Sequence, residues 1–534
     1  MKTTFGFGPI FYLCLSFSFF TASLNAQSWQ LQTQVLPLDS NIKAQDYFGM
    51  GVALTDSFML IGSPKHEYDE NGDNRIFSAG AAYIFQHDFL GVFKAQKLAA
   101  PDRSGAAAYG QEVAMNENWA VVSAYLSPAN SLNSVGQVYI YGRDASGLWV
   151  LDTILVPPQA QAIMQFGVSL SLYQDALLIG AARERRDGND QNELTDAGAA
   201  YYYEYNAGQG WQFVQKLVAS DRSEDARFGF GVALYDEVIC VGAPDQTLDP
   251  LTIPIIGGGQ VYVYELDPNT GLFAEVQILR DQTPRPLGAF GTDLALWEDE
   301  LMVGETNEGE FPSGFVSQGG MVEVYQRDLS GIWQYTQALV PQDLSPTSFF
   351  GRVDLVGDLA IVGAYGTDIG DLPTDSVKDG GAAYVFERLN GQWQQVDKFA
   401  PSDRMPFDKF GDAIAINGSK VLVGGPFSAQ DSALYDAGEA WLYQRDFPLS
   451  IAAEPNSLQA WPNPTANNLF LEWPGKTVQS VALFDVYGRR YHIPFAPPNA
   501  SKNRLSLSHL SPGFYFLEVY NTAGEKVCFR LQKQ

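Results

Sequence analysis

The chain is poor in the residue types that carry out chemistry. Its 534 residues include only three cysteines and four histidines. Cys240 and Cys528 are the two cysteines beyond the amino-terminal apolar stretch, and their wide separation builds no disulfide framework. Cys240 falls in an apolar run, where a buried free thiol is expected. His66, His87, His492 and His509 have no metal-ligand spacing of the HExxH kind. There is also no GxSxG elbow, no CxxC pair and no phosphate-binding glycine loop leading into a helix. Positive charge is scarce, since 33 Lys and Arg face 61 Asp and Glu for a net −28. Such a surface repels nucleic acid and anionic lipid. Helical periodicity is missing, and after the first 26 residues no apolar run approaches the roughly 18 residues of a membrane span. What remains in abundance is 51 Gly, 29 Pro and 13% aromatic residues, the composition of short strands joined by turns.

These residues repeat. Aromatic–glycine pairs stand at Phe48-Gly49, Tyr109-Gly110, Phe166-Gly167, Phe228-Gly229, Phe290-Gly291, Phe350-Gly351 and Phe410-Gly411, at intervals of 61, 57, 62, 62, 60 and 60 residues. About a dozen residues after each comes an aliphatic–small run, such as Ile61-Gly62-Ser63-Pro64 or Val241-Gly242-Ala243-Pro244. A third run then opens on glycine, as at Gly80, Gly136, Gly198, Gly259, Gly320, Gly381 and Gly438. A fourth places an aromatic six residues before an apolar residue, as in Trp149 and Leu155 or Trp211 and Leu217. Four strand-length pieces per period are what one propeller blade requires. The seventh unit lacks its fourth piece after Trp441-Leu442-Tyr443, whereas Trp29 to Val35 has that spacing and precedes the first unit. The fold expected is therefore all-β: a seven-bladed β-propeller closed by the amino-terminal strand, which removes free sheet edges, followed by a small carboxy-terminal β-sandwich. The predicted organisation is a signal peptide at 1–26, the propeller at 27–446, a linker at 447–458 and the tail unit at 459–534.

The FG, GAP-like and GxAYVF runs resemble the FG-GAP repeats of integrin α-chain propellers and their bacterial relatives, over about residues 28–446. The tail carries Trp461-Pro462-Asn463-Pro464, then Asp485 to Gly488-Arg489, then Leu510 to Gly513-Phe514-Tyr515, then a last strand. That order resembles the sorting domain of the type IX secretion system of Bacteroidota. The resemblance implies that the secretion machinery is a partner and that the protein is released or held at the cell surface. Residues 1–26, with a short apolar stretch ending at Ala26 before Gln27, read as the secretory leader, so the mature chain is expected to lack a transmembrane segment.

Candidate sites follow from the loops. Connections between second and third strands are long, and strand alternation puts them on the same face as the blade-to-blade connections, where ligand-reading segments belong. Integrin-type repeats imply calcium in the first connection, yet here that connection is two or three residues, too short to wrap the ion. The remaining metal candidate is Asp69, Asn71 and Asp73, with 1, 3, 5 spacing but no closing Glu; an acidic solvated loop tip is the simpler reading. Asp39, Asp102, Asp221, Asp281, Asp343 and Asp403 recur before the aromatic–glycine pairs. They form either a carboxylate ring at the channel mouth or, as repetition favours, turns in which Asp bonds nearby backbone amides. Loop carboxylates Glu184, Asp187, Asp190, Glu305, Glu308 and Glu310 leave open a glycosidase-like pair, and Phe311, Phe315 and Tyr365 a stacking role. The expectation is a non-catalytic, cofactor-free surface protein that recognises a glycan or another surface protein. A secreted polysaccharide hydrolase or lyase and a structural matrix protein are the alternatives.

Overall fold

The structure is a computed structural model and describes residues 29–37, 41–88, 91–248, 254–311, 314–370, 375–429 and 434–445, and in the tail 458–461, 468–473, 477–485, 490–491, 503–507, 510, 513–521 and 526–533. Seven four-stranded antiparallel sheets occupy 52–98, 113–155, 166–217, 231–279, 293–339, 350–399 and 413–445, here blades 1 to 7. Blade 7 takes its outer strand from the other end of the chain. Trp29–Val35 pairs antiparallel with Glu439–Arg445, Trp29 opposite Arg445 and Val35 opposite Ala440. Gln34 Nε2 reaches Glu439 at 2.6 Å, and the Trp29 amide donates to Asp397 on blade 6.

Burial explains the sequence of each strand. Second strands such as Phe58–Ser63 and Leu359–Ala364 are buried throughout, because neighbouring blades cover both of their faces. Outer strands keep only their ends inside: Trp149–Leu155 and Trp333–Leu339 bury the first and last residue, and those between are exposed or half-buried. In all seven blades the outer pairing contains a register shift, a bulge that twists the edge and discourages pairing with another chain.

The repeated glycines are where blades touch. A Cβ on Gly62 would collide with the carbonyl of Gly110 on blade 2, and Gly180, Gly242, Gly304, Gly363 and Gly424 meet the next blade's aromatic–glycine pair in the same way. The glycine opening each third strand abuts the backbone of the next blade's aromatic residue, at a φ between 78 and 95°. The aromatic side chains themselves, Phe48 to Phe410, are fully buried between blades. The repeat motif is thus an inter-blade contact read off one chain.

The connections follow the expected lengths. Asp236 and Glu237 alone join the first two strands of blade 4, while Pro244 to Gly259 join its second and third. The long loop of blade 5 carries an unanticipated hairpin, Glu308–Phe311 with Gly314–Ser317. In the tail, two sheets of three and four strands share one apolar cluster that includes Leu469, Leu505, Leu517 and Leu531.

Candidate functional site

Long loops and blade-to-blade connections share one face, and backbone hydrogen bonds tie them together. Three residues before each aromatic–glycine pair, the amides of Gln45, Ala106, Ile163, Asp225, Leu287, Thr347 and Phe407 donate to the preceding blade's long loop at 2.7–3.2 Å. All seven have positive φ, a strained state for non-glycine residues that recurs because the bond recurs. Several apolar side chains stand exposed along this seam, Phe77 at 70%, Tyr435 at 53% and Phe407 at 50% among them.

Nearer the axis the mouth is one-sided. Phe349 and Tyr365 stack with centroids 5.1 Å apart and planes 2° from parallel. Lys409 Nζ lies 5.5 Å from the Tyr365 ring and 4.9 Å from Phe427, Phe427 packs on Tyr47 at 4.7 Å, and Lys65 covers Tyr47 at 4.1 Å. This arc of rings and ammonium groups spans blades 6, 7 and 1. Across from it, Arg227 pairs with Asp245 and lies over Phe230.

Below the mouth the innermost strands line the channel. At the level where the first strand meets the small residue of the second strand, glycine in six blades and Ser123 in blade 2, the blades present Gly51, Glu112, Ser169, Gly231, Asp293, Arg352 and Ala413. Asp412 lies one residue before this level. Glu112, Asp293, Arg352 and Asp412 keep a minority of their surface open yet are deeply enclosed, as groups facing a narrow lumen must be. Burial pushes the Glu112 carboxyl up to about 7, with Arg352 opposing and Asp293 and Asp412 adding. Burial likewise raises Asp293 and Asp412, again against the pull of Arg352. The three carboxylates hold the Arg352 guanidinium well above its ordinary value despite its burial. Asp293 spends its oxygens on the amides of Leu294 and Val353, and Asp354 in the same way serves Leu355 and Ile416, stitching adjacent inner strands. No described residue donates a hydrogen bond to the side-chain carboxylate of Glu112 or Asp412.

The sequence candidates lie elsewhere. Asp69 Oδ1 accepts from the amides of Asn71 and Asp73 at 3.0 and 2.9 Å, and Oδ2 from Asn74 Nδ2 at 2.6 Å. These bonds hold its carboxyl below the usual range and use the lone pairs a cation would need. Among the described residues no three His, Cys, Asp or Glu side chains are placed to hold a metal. Asp187 repeats the same turn in blade 3 with Asn189, Gln191 and Asn192. Glu184 is fully buried against Gln161, Tyr201 and Lys216, and Asp190 pairs with Lys216 at 2.9 Å. Glu305 is fully buried. The side chains of Glu308, Glu310, Phe311 and Phe315 lie outside the described ones, as do Asp39, Ala26, Gln27, Pro462, Asn463, Pro464 and Gly488. Gly513 opens the strand Gly513–Asn521, in which Tyr515 is buried.

The recurring aspartates need correction on the turn reading: among the described residues, backbone amides are not their common partner. Asp102 accepts from Tyr139 Oη at 2.6 Å and Asp221 from Tyr262 Oη at 2.5 Å, each tyrosine on the third strand of the following blade. Asp343 instead takes Lys398 at 2.6 Å, on the outer strand of the following blade. Among the described residues, only Asp281 shows the local bond, to the Thr283 amide. The arginine after Asp reaches the other way: Arg103 and Arg222 donate to carbonyls of the preceding blade's long loop. A short Asp-Arg pair thus ties three segments across a blade boundary, which local turn chemistry could not foretell. A second tie went unread although it has a signal, a Gln four residues after the outer-strand aromatic. Gln215, Gln277 and Gln337 each clasp the backbone of the next blade's outer aromatic at both its N–H and its C=O.

Comparison with known proteins agrees with this architecture. A family model described as FG-GAP repeat matches residues 29–85, 92–141, 211–264, 333–386 and 393–443. Each match begins on an outer strand and ends on the third strand of the next blade, so the sequence unit straddles two sheets. A model described as secretion system C-terminal sorting domain matches 459–531. No curated protein matches. Among solved structures, a Lactobacillus plantarum protein aligns at 14% identity over 67% of this chain and 85% of its own, with a TM-score of 0.41. Saccharomyces cerevisiae Sqt1 aligns at 10% identity over 78% and 100%, with a TM-score of 0.40. A putative 6-phosphogluconolactonase from Bacteroides fragilis aligns at 11% over 66% and 84%, also at 0.40. At these scores they add nothing to the fold read from the sheet order. The family models cover both parts of the chain, and the sheets close as the repeats require: this is a seven-bladed FG-GAP repeat β-propeller protein that carries a type IX secretion sorting domain.

Proposed function

We propose that the protein is a secreted or surface-held binding propeller that recognises a glycan or another surface protein through its long-loop face, without catalysing a reaction on it. The sorting domain implies handling by the secretion machinery, and the leader at 1–26 supplies the first export step. One observation carries the binding reading. Wherever the seven repeats build structure they agree, while at the axial mouth they diverge into an aromatic arc on blades 6, 7 and 1 above an enclosed charged cluster. A scaffold needs no such asymmetry, and rings flanked by polar groups suit a ligand with flat apolar faces and hydroxyls. Against catalysis, Glu184, Asp187 and Asp190 are committed to loop contacts.

The test is a glycan array and a panel of surface proteins probed with the mature chain and with Tyr47→Ala and Phe427→Ala, alongside polysaccharide digests. Binding that both substitutions abolish, with no turnover, is the expected result. Turnover abolished by Glu305→Gln or Asp187→Asn would establish the hydrolase instead.

A further inference from the structure

The lysine side chains described in the propeller divide into two groups. Lys43, Lys97, Lys216, Lys398 and Lys420 each engage a carboxylate or an imidazole of the chain. Lys65, Lys378 and Lys409 form no ion pair and no side-chain hydrogen bond with any described residue. In a chain with 61 Asp and Glu against 33 Lys and Arg, ammonium groups without carboxylates are unexpected, and these fall together. Lys378 lies 5.1 Å from the Phe407 ring, Lys409 lies 4.9 Å from Phe427, Phe427 packs on Tyr47 at 4.7 Å, and Lys65 covers Tyr47 at 4.1 Å. This line crosses the seams between blades 6 and 7 and between 7 and 1, where the Phe407 amide donates to the Lys378 carbonyl and the Gln45 amide to that of Tyr435. The neighbouring carboxylates are already engaged: Asp46 holds His66, and Glu67 holds Lys43 and Arg75. Asp412 feels the charge of Lys409 from the channel below but takes no hydrogen bond from it.

We propose that this arc is the contact surface for an acidic polysaccharide whose sugars carry carboxylates, a polyuronate. The inference rests on the binding reading above and narrows its ligand. A ring face holds each ammonium group in place without neutralising it, so an incoming anion meets a charge that is already ordered. Carboxylates spaced along a polymer reach several such groups at once, where a single anion reaches one. Phe407 and Tyr435, 50% and 53% exposed on the same two seams, present open apolar area to the C–H faces of pyranose rings. An acidic peptide brings the charge without that flat apolar surface. A neutral glycan brings the surface but gives no use to the ammonium groups. The rest of the mouth does not share the pattern. One residue before the aromatic–glycine pair, where blade 7 has Lys409 and blade 1 has Tyr47, blades 2, 3 and 5 have Ala108, Gln165 and Ala289, and Arg227 of blade 4 is already paired with Asp245.

The experiment is isothermal titration of the full-length mature protein, at low and high salt, with hexamers of galacturonic and of mannuronic acid, the methyl-esterified galacturonic hexamer, hexaglutamate and maltohexaose. The expected result is binding of a uronate hexamer that weakens as salt is added, with the ester, the peptide and the neutral glycan bound far less tightly. Lys65→Gln and Lys409→Gln should each weaken it about tenfold, and an unchanged melting temperature should show that they fold. Four results overturn the inference: the ester binding as tightly as the acid, hexaglutamate binding as tightly as a uronate, uronate binding indifferent to both substitutions, or neither uronate binding. Retention of a neutral glycan that is lost in Tyr47→Ala but indifferent to Lys409→Gln would also sink the acidic ligand while leaving the broader binding reading intact.

Discussion

Replacing Glu112 by glutamine should make the propeller more stable, and only at the alkaline side of its range. Burial among other carboxylates raises this group from 4.5 to about 7, so the folded state resists its ionisation. Below pH 4.5 the carboxyl is protonated in both folded and unfolded chains and contributes nothing. From there to pH 7 the unfolded chain sheds the proton first, and stability is lost. Above pH 7 the full penalty applies. At 1.36 kcal/mol per pKa unit the shift corresponds to about 3 kcal/mol, an upper figure because channel water screens part of it. A propeller of roughly 400 residues has an unfolding entropy near 0.9 kcal/mol/K, so the melting temperature should rise by about 3–4 °C. The assay is a thermal melt of wild type and Glu112→Gln at pH 4 and pH 8. Nearly coincident melts at pH 4 and a more stable variant at pH 8 are expected. A variant equally or less stable at pH 8, or a gain independent of pH, refutes the placement of Glu112 in an enclosed carboxylate cluster.

Other outcomes follow from the same contacts. Trp29→Ala removes a buried indole from the closing strand and should cost about 3–5 kcal/mol, seen as a lower denaturation midpoint; an unchanged midpoint would mean that the ring does not depend on its amino-terminal strand. Tyr262→Phe strips the hydroxyl from Asp221 at a blade boundary and should cost about 1–3 kcal/mol, whereas a silent change would return that aspartate to the role of a local turn. Because Asp69 spends its lone pairs on its own loop, melting curves with and without a calcium chelator should superimpose, and a fall on chelation would restore the 69–73 loop as a cation site.

The number of blades and the manner of closure were legible because they rest on local, repeated requirements. A glycine that no Cβ can replace, an aromatic that must be buried and an outer strand with apolar ends each write the same residues at the same interval, and a unit missing its fourth strand at one end must find it at the other. Loop lengths fixed which face carries the long segments for the same reason. The site was not legible, because it is assembled across the axis by single residues from different repeats. Glu112, Asp293, Arg352 and Asp412 occupy blades 2, 5, 6 and 7, up to 300 residues apart, and nothing in the local spacing of any one of them marks it. The recurring aspartates misled in the opposite sense: they repeat conspicuously, yet their partners are tyrosines and a lysine on a neighbouring sheet, which only closure of the ring brings within reach. Periodicity therefore reports what every blade needs, and the tertiary structure alone decides where the blades differ at a common point in space.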